Sequence, residues 1–279
     1  MNIEVLNKNG RTATIAIKDI DYAIANTLRR IMLSEVPTLA IDEVNFIKND
    51  SALYDEIVAH RLGLVPLKTD LKSYELKETC TCKGAGCAKC ELNATIKVKG
   101  PCMVYSSDIK IQDPKITSVY DNIPITQLLE NQELDCELKI RLGKGKEHAK
   151  FSPGFIYYRN YPNIDIKNAT SKAANDKILA ACPKDVFEVS NNELKVKNIL
   201  NCDLCKACED IASDFVEVKH SETDFIFFIE SFGQLVTRRI LREALKVIDE
   251  KLNSFDKKLK SSKKEEGKLA TIKNKISRK

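Results

Sequence analysis

The apolar positions at the start of the chain alternate with polar ones. Two runs with this period of two, Ile3–Val5 and Ala13–Ile17, flank the dipeptide Asn9 and Gly10. Alternation is typical of strands with one buried face, and Asn-Gly favours a tight turn. The pattern predicts a β-hairpin.

The period then changes to that of a helix. Apolar residues recur at steps of four and three, which places them on one helix face: Ile24, Leu28, Ile31. This spacing predicts a helix over Ile20–Glu35, with Asp19 or Asp21 as its cap and Pro37 beyond its end. A strand is predicted next, over Thr38–Ile47.

Later segments are predicted to be strands for the same reason. Leu92–Val98 and Cys136–Ile140 have strand-like patterns, and no internal repeat is evident. Phe215–Val218 and Asp224–Ile229 are predicted to form a β-hairpin around the polar sequence His-Ser-Glu-Thr. Strands together with helices indicate an α+β protein.

The end of the chain has the most regular pattern. From Phe232 onward, apolar residues recur at alternating steps of four and three: Leu241, Leu245, Ile248, Leu252, Phe255, Leu259. We call these six residues the heptad stripe. Burying them is worth roughly 9 to 18 kcal/mol before entropy. The stripe packs either on the chain's own core or on a helix of another subunit, and the second is favoured because the other predicted helix is half as long.

The charge is concentrated at one end of the chain. The 279 residues have a formal net charge of +5. Residues 251–279 contain eleven basic and three acidic residues, a net +8, so the rest is slightly acidic at 5 − 8 = −3. This basic tail is either a solvated, frayed end or a contact for nucleic acid or an acidic partner.

The location of the protein affects how its ten cysteines are interpreted. No apolar run approaches the roughly 20 residues of a membrane span. The first residues lack the basic and apolar regions of a signal peptide, so we expect a cytoplasmic, reducing environment. There, cysteines serve as metal ligands more often than as disulfides.

Four cysteines form the closely spaced pattern C-x-C-x4-C-x2-C: Cys80, Cys82, Cys87, Cys90. Four thiolates on two short turns can surround one Zn²⁺ ion, and Gly84 and Gly86 allow tight turns between them. A site with four protein ligands is structural rather than catalytic. Zinc is the favoured interpretation, with an iron-sulfur site or free thiols as alternatives.

A second set combines C-x2-C-x2-C with a distant Cys-Pro: Cys202, Cys205, Cys208, Cys182. This arrangement is typical of ferredoxin-like binding of a cubane cluster. Residue 212, where a ligand for a second cluster would stand, is Ala212. The sequence predicts one [4Fe-4S] cluster, or [3Fe-4S] after loss of an iron, with zinc as the alternative. Cys102 and Cys136 are predicted to be single buried residues.

Motifs of common active sites are missing from the sequence. It has no H-E-x-x-H array, no phosphate-binding loop of the G-x-x-x-x-G-K-[ST] type and no G-x-S-x-G turn. We therefore expect no catalytic residues in this chain.

Four segments in order resemble a known family: Asn26–Val44, Glu56–Leu67, Gly143–Pro153 and the region from Phe225 through the last helix. They are similar to the α-like assembly subunits of DNA-directed RNA polymerase. Within that family, the ferredoxin-like insertion resembles that of the archaeal members. The resemblance implies a noncatalytic subunit of this nucleotidyltransferase.

The resemblance also implies a domain organisation and a set of partners. Residues 1–47 and 215–279 would form a discontinuous dimerisation domain, 48–165 an insert domain with the zinc loop at 80–90, and 166–214 the ferredoxin-like domain. The last helix would pair with the small α-like subunit L. Together with subunits N and P, this pair would form the platform for the large catalytic subunits, and DNA would be met only through the complex.

Two adjacent arginines on the first helix are candidates for contact with the large subunits. Adjacent helical positions do not share a face, so one of Arg29 and Arg30 is expected to make the main contact.

Two other functions are alternatives to the assembly subunit. One is an iron-sulfur protein for redox sensing or electron transfer, and the other is a nucleic-acid binder that uses the basic tail.

Overall fold

The structure, a computed structural model, describes residues 1–167, 172–191 and 193–276, with side chains through residue 261. The chain forms two compact units. The first unit consists of Met1–Arg29 and Ile156–Glu230, and the second of Arg30–Phe155 and Ser231–Lys279. The three-domain division implied by the family resemblance divides the chain by function rather than by compactness, and it stays a prediction.

The side chains of the basic tail from residue 262 onward lie outside the described part, so the two interpretations of that tail stay open.

Strands and helices of the described residues follow the chain in a mixed order. They are β1 (Asn2–Asn9), β2 (Thr12–Lys18), α1 (Tyr22–Ser34), β3 (Pro37–Asn49), α2 (Asp55–Gly63), β4 (Glu91–Lys99), β5 (Cys102–Tyr105), β6 (Lys110–Ile111), β7 (Pro124–Leu128), β8 (Glu133–Lys144), β9 (Gly154–Ile166), α3 (Lys172–Ala181), β10 (Phe187–Ser190), β11 (Glu193–Val196), α4 (Ala207–Ile211), β12 (Val216–Ser231) and α5 (Thr237–Ile276).

The first unit is built on a sheet with the strand order β1-β2-β12-β9. The predicted hairpin at its edge is confirmed, because β1 pairs antiparallel with β2. Gly10 has a φ of 52° in the turn, where a residue without a side chain is favoured. In the sheet centre, Phe225 pairs with Ile17 and Phe227 with Ile15, and all four side chains are buried.

The hairpin predicted at Phe215–Val218 and Asp224–Ile229 is wrong, because β12 is one continuous strand of 16 residues. The polar residues between those segments extend the strand instead of turning it. None of residues 219–224 has a positive φ, and no glycine or proline interrupts them. His220 and Glu222 are exposed, so this polar stretch is the solvated part of a long strand.

The first helix begins at its predicted cap. The Asp21 carboxylate accepts a hydrogen bond from the Ala23 amide at 2.6 Å, which satisfies a free donor of the first turn. Ala25 and Met32 are fully buried, which gives α1 a packed face. The predicted helix is therefore confirmed, with Asp21 rather than Asp19 as its cap.

The second unit contains a sheet of order β3-β8-β4-β6 and a separate β5-β7 pair. Long antiparallel pairings join β8 to β3 and to β4, so the strands predicted in these segments are confirmed. Fully buried side chains such as Ile96 on β4 and Leu62 on α2 pack in one core against this sheet. Helices α2 and α3 were not predicted, since both are short and their apolar spacing is weak.

The long helix α5 has 40 residues, of which the first turns pack on the second unit. Ile240 and Ala244 are completely buried, and Thr237 nearly so. Among the described residues, no helix is both long and apolar enough to cross a membrane.

Candidate metal centres and partner-binding surfaces

The loop before β4 brings the first four cysteines together. Lys83, Gly84 and Gly86 all have positive φ values, and these turns fold the loop back on itself. The Cys90 amide donates to the Cys87 carbonyl at 2.9 Å, which closes the second turn. A side chain at Gly86 would come within 3.2 Å of a Glu91 carboxylate oxygen, so glycine fits the loop there.

The sulfur atoms of this loop lie at the spacing of a single-ion site. The four Sγ atoms are all within 4.8 Å of one another. Cys80 and Cys87 are 3.5 Å apart, Cys82 and Cys90 are also 3.5 Å apart, and Cys87 and Cys90 are 3.8 Å apart. Four sulfurs held about 2.3 Å from a central ion at tetrahedral corners would be separated by about 3.8 Å. The loop can therefore hold a metal ion.

The thiols of this loop differ in acidity. Hydrogen bonding from Cys80, supported by Cys90 and by the amides of Gly84 and Gly86, lowers the pKa of Cys82 to about 6. Burial raises the pKa of Cys90 to about 12. One thiolate thus forms readily, whereas binding of a metal by all four would displace protons from the others.

The second set of cysteines meets in the first unit. All four line one cavity, which Val186, Phe187 and Val218 also enclose. Cys182 follows α3, and its amide donates to Ile178. The structure therefore brings together Cys182, Cys202, Cys205 and Cys208, although 19 positions separate the first two.

The loop from Cys202 to Cys208 has an unusual backbone. Leu204 and Lys206 have φ values of 63° and 61°, in the left-handed region that non-glycine residues rarely adopt. When left-handed residues alternate with right-handed ones, successive backbone N–H groups turn toward one centre, as in many iron-sulfur sites. Burial raises the pKa of Cys202, and the Leu204 amide partly offsets this. The sequence held no sign of these two conformations, because neither residue is glycine or asparagine.

The two single cysteines differ from each other. Cys136 is completely buried, as predicted, and burial raises its pKa to about 12. Cys102 is only partly buried, and its thiol lies 3.5 Å from the Lys99 carbonyl. The prediction of burial was wrong for Cys102 because it stands at the start of β5, a strand of four residues in a two-stranded pair.

The heptad stripe of α5 remains largely open to solvent in this chain. Leu252 and Phe255 are about three-fifths exposed, at 61% and 60%. Leu245 and Leu259 are also exposed, and Leu241 and Ile248 are partly buried. The described residues of the chain do not cover the stripe, so packing on its own core does not explain it.

The two arginines of α1 are held differently. The Arg29 guanidinium donates to the Asn26 carboxamide oxygen, with its closer nitrogen at 2.9 Å. Arg30 is exposed, and its side chain has no hydrogen bond or ion pair with the described residues. Arg30 is therefore the freer of the two for a contact with another protein.

The segment Gly143–Pro153 folds against the start of β3. The Phe151 ring is completely buried and lies 4.9 Å from the Arg141 guanidinium carbon. A side chain at Gly143 would come within 2.6 Å of that ring, so only glycine fits beside it. Asp42 binds Arg141 at 2.6 Å and Lys150 at 2.8 Å, which ties the segment to the sheet.

Comparison with known proteins identifies the family. Residues 41–157 match the family described as the RNA polymerase Rpb3/RpoA insert domain. DNA-directed RNA polymerase subunit Rpo3 of Methanosphaera stadtmanae is 37% identical over 266 residues, covering 91% of this chain and 97% of the relative. The chain belongs to the Rpo3 family of DNA-directed RNA polymerase subunits.

Other members of the Rpo3 family give the same result. The Rpo3 subunit of Archaeoglobus fulgidus is 36% identical, with 91% of this chain and 96% of the relative covered. That of Pyrococcus furiosus is 34% identical, with 91% and 95% covered.

Membership of the Rpo3 family confirms the predicted α-like assembly subunit. It also confirms that the chain is part of a nucleotidyltransferase without supplying its catalytic site. The mixed α and β fold with an insert domain agrees with the predicted class. The ferredoxin-like character of the first unit's cysteine region stays a prediction.

Proposed function

We propose that this chain pairs with the small α-like subunit L through α5. Joined by subunits N and P, the pair then forms the platform on which the large catalytic subunits assemble. The chain works in the cytoplasm and meets DNA only through the assembled polymerase.

The exposed heptad stripe carries this proposal. Leu252, Phe255 and Leu259 stand 45% to 61% exposed on one side of a single helix. Each apolar side chain of this size gains about 1.5 to 3 kcal/mol when it is fully buried. A stripe with steps of four and three fits a second helix packed along its length.

Replacing two stripe residues tests the pairing. In the double variant Leu245→Asp and Leu252→Asp, two carboxylates would be buried without partners, which is strongly unfavourable. We expect the 1:1 heterodimer with subunit L, seen by size-exclusion chromatography with light scattering, to be lost. Both side chains are exposed in the single chain, so its own fold should persist in circular dichroism.

A matched control changes the charge elsewhere on the same helix. Asn253 and Lys257 are exposed and lie away from the stripe, at about 100° per residue around the axis. The variant Asn253→Asp with Lys257→Asp should still form the heterodimer. Wild-type pairing by the stripe variant would show that α5 is not the interface.

The two cysteine sets are proposed to hold different groups. The spacing of Cys80, Cys82, Cys87 and Cys90 supports a structural Zn²⁺ ion. The cavity lined by Cys182, Cys202, Cys205 and Cys208 supports one [4Fe-4S] cluster, or [3Fe-4S] after loss of an iron. Both groups would stabilise the segments that bind them, and neither takes part in nucleotide chemistry.

The free guanidinium of Arg30 is proposed to contact a large subunit. A planar charged donor suits a carboxylate of the partner. We expect Arg30→Glu to weaken co-purification of the large subunits about threefold to tenfold, because one ion pair becomes a repulsion. Arg29→Glu should have a smaller effect, since Arg29 already binds Asn26. The opposite order would assign the contact to Arg29.

A further inference from the structure

Two cavities adjoin on the second unit, along the side of α5 that faces the chain's own sheet. One has a volume of about 440 Å³ and the other about 460 Å³. Leu71 lines both of them, and we call the adjoining pair the groove; it lies between α5 and the segment that leads to the cysteine loop. Each half has the size of a pocket for a small ligand or a few residues of a peptide.

One half of the groove is basic. Lys68, Lys72 and Arg239 line it, together with the single acid Asp70. The Asp70 carboxylate is already bound by the Lys72 amide at 2.9 Å and the Ser73 hydroxyl at 2.7 Å. Neither Lys68 nor Lys72 forms an ion pair with any side chain that the structure describes. Two cations therefore remain available to an occupant.

The wall of the basic half also holds an unmet acceptor. Gln234 is 5% exposed, and its Oε1 atom accepts no hydrogen bond from the described residues. The backbone on either side is fixed, because the Thr69 amide donates to the Gln234 carbonyl at 3.0 Å. Because this Oε1 atom is itself buried, an occupant of the groove does not reach it, and the lysines carry the polar recognition.

The other half of the groove is apolar at its floor and only partly self-paired at its rim. Leu71, Leu76, Leu142 and Val247 contribute the floor. Rim charges bind one another: Lys251 lies 2.7 Å from Glu35, and Lys246 lies 3.3 Å from Glu243. Glu75 and Glu250 also line this half and form no ion pair with the described side chains, so it offers an apolar floor beside two unpaired carboxylates.

The groove and the heptad stripe use different sides of α5. At about 100° per residue, Glu243, Val247 and Glu250 point about 120° to 180° away from the centre of the stripe. A helix packed on the stripe would leave the groove open, so both surfaces can be occupied at once.

We infer that the groove binds an extended segment of another polymerase subunit, in which a carboxylate side chain is followed by apolar residues. This inference rests on the proposed assembly function. The carboxylate meets Lys68 and Lys72, and the apolar residues cover the floor beyond Leu71. The chain's own basic tail carries like charge to the basic half. Nucleic acid would leave the apolar half uncovered.

Photo-crosslinking in the assembled polymerase tests the inference. Val236 lines the basic half and is 67% exposed, so a benzoylphenylalanine there should not disturb folding. We expect a crosslink, mapped by mass spectrometry, to one segment of another subunit with Asp or Glu beside apolar residues. Adding Lys68→Glu and Lys72→Glu should lower its yield about threefold to tenfold.

The control reverses two exposed lysines elsewhere, Lys8→Glu and Lys110→Glu, and should leave the yield unchanged. The inference is overturned by no crosslink, or by one to nucleic acid, a second copy, residues 262–279 or a segment without a carboxylate. An unchanged yield after reversal of Lys68 and Lys72 also overturns it.

The heterodimer with subunit L is measured in parallel on the wild-type chain. If that pair forms while the crosslink fails, only the groove assignment falls, whereas absence of the pair defeats the proposed function itself.

Discussion

The two cysteine sets offer the same candidate ligand atom but differ in how the chain assembles them. In the loop of Cys80 to Cys90, the sulfurs come as close as 3.5 Å, and the centre has room for one ion. In the first unit, the four cysteines come from distant parts of the sequence and line one cavity together with apolar side chains. The first arrangement suits a single ion, and the second is the one that we propose for a multinuclear cluster.

The centres also differ in what holds them in shape. The Cys80 loop is a short contiguous segment with exposed glycines at its turns, so its order depends on the ligands themselves. The second centre is enclosed by apolar side chains such as Ile178, Phe187 and Val218, which form a core of their own. Metal loss should therefore unfold the first centre locally and leave much of the second in place.

The largest effect should come from removing a ligand of the Cys80 loop. Binding of structural zinc supplies roughly 10 to 16 kcal/mol in small domains, so Cys90→Ser should abolish stoichiometric binding and release the loop. Zinc per chain and protease cleavage between residues 71 and 91 measure this. Cys102→Ser, a cysteine outside both sets, is the control. Full zinc content in Cys90→Ser would contradict the assignment.

The next effect tests whether the centres are independent. In Cys202→Ser a buried ligand of the second centre is lost, and we expect iron content and the visible absorbance of the anaerobically purified chain to fall. Zinc content should stay unchanged, because the two sets lie in different units. Loss of both metals together would show that the centres fold as one.

The smallest effect concerns an anchor of the second unit that needs no metal. Burial raises the pKa of Asp42, but hydrogen bonds from Arg141 and Lys150 outweigh this and hold the pKa below its usual range. Asp42→Asn should cost about 1 to 3 kcal/mol at pH 7, measured by hydrogen exchange of the β3 amides.

The pH dependence of this loss follows from the direction of the shift. A carboxylate with a lowered pKa in the folded state stabilises the protein above its unfolded pKa of about 3.9, and the contribution is lost as the pH falls through the folded value. The difference between wild type and Asp42→Asn should therefore shrink below about pH 4. Lys8→Gln, at an exposed site, should show no such dependence. An equal loss at pH 7 and pH 3 would refute the ionic contribution.

Local patterns were sufficient for much of the fold. The first hairpin, α1 and α5 were predictable because turn residues, a cap and apolar spacing all act within a few residues of one another. The continuous β12 was not, since its polar stretch is held in the strand by neighbours distant in sequence. Local patterns were likewise sufficient to indicate both cysteine sets, through the spacing of the ligands. They could not indicate the left-handed Leu204 and Lys206 or the groove beside Leu71, because these arise from tertiary packing.

The exposed heptad stripe of the 40-residue helix α5 affects how much of this chain can accumulate in a cell. A contiguous apolar surface on an unpaired chain invites self-association and recognition by proteases and chaperones. If another subunit covers the stripe, as proposed, chains made in excess of that subunit would be removed, and the stripe would couple the abundance of this chain to the supply of its partner.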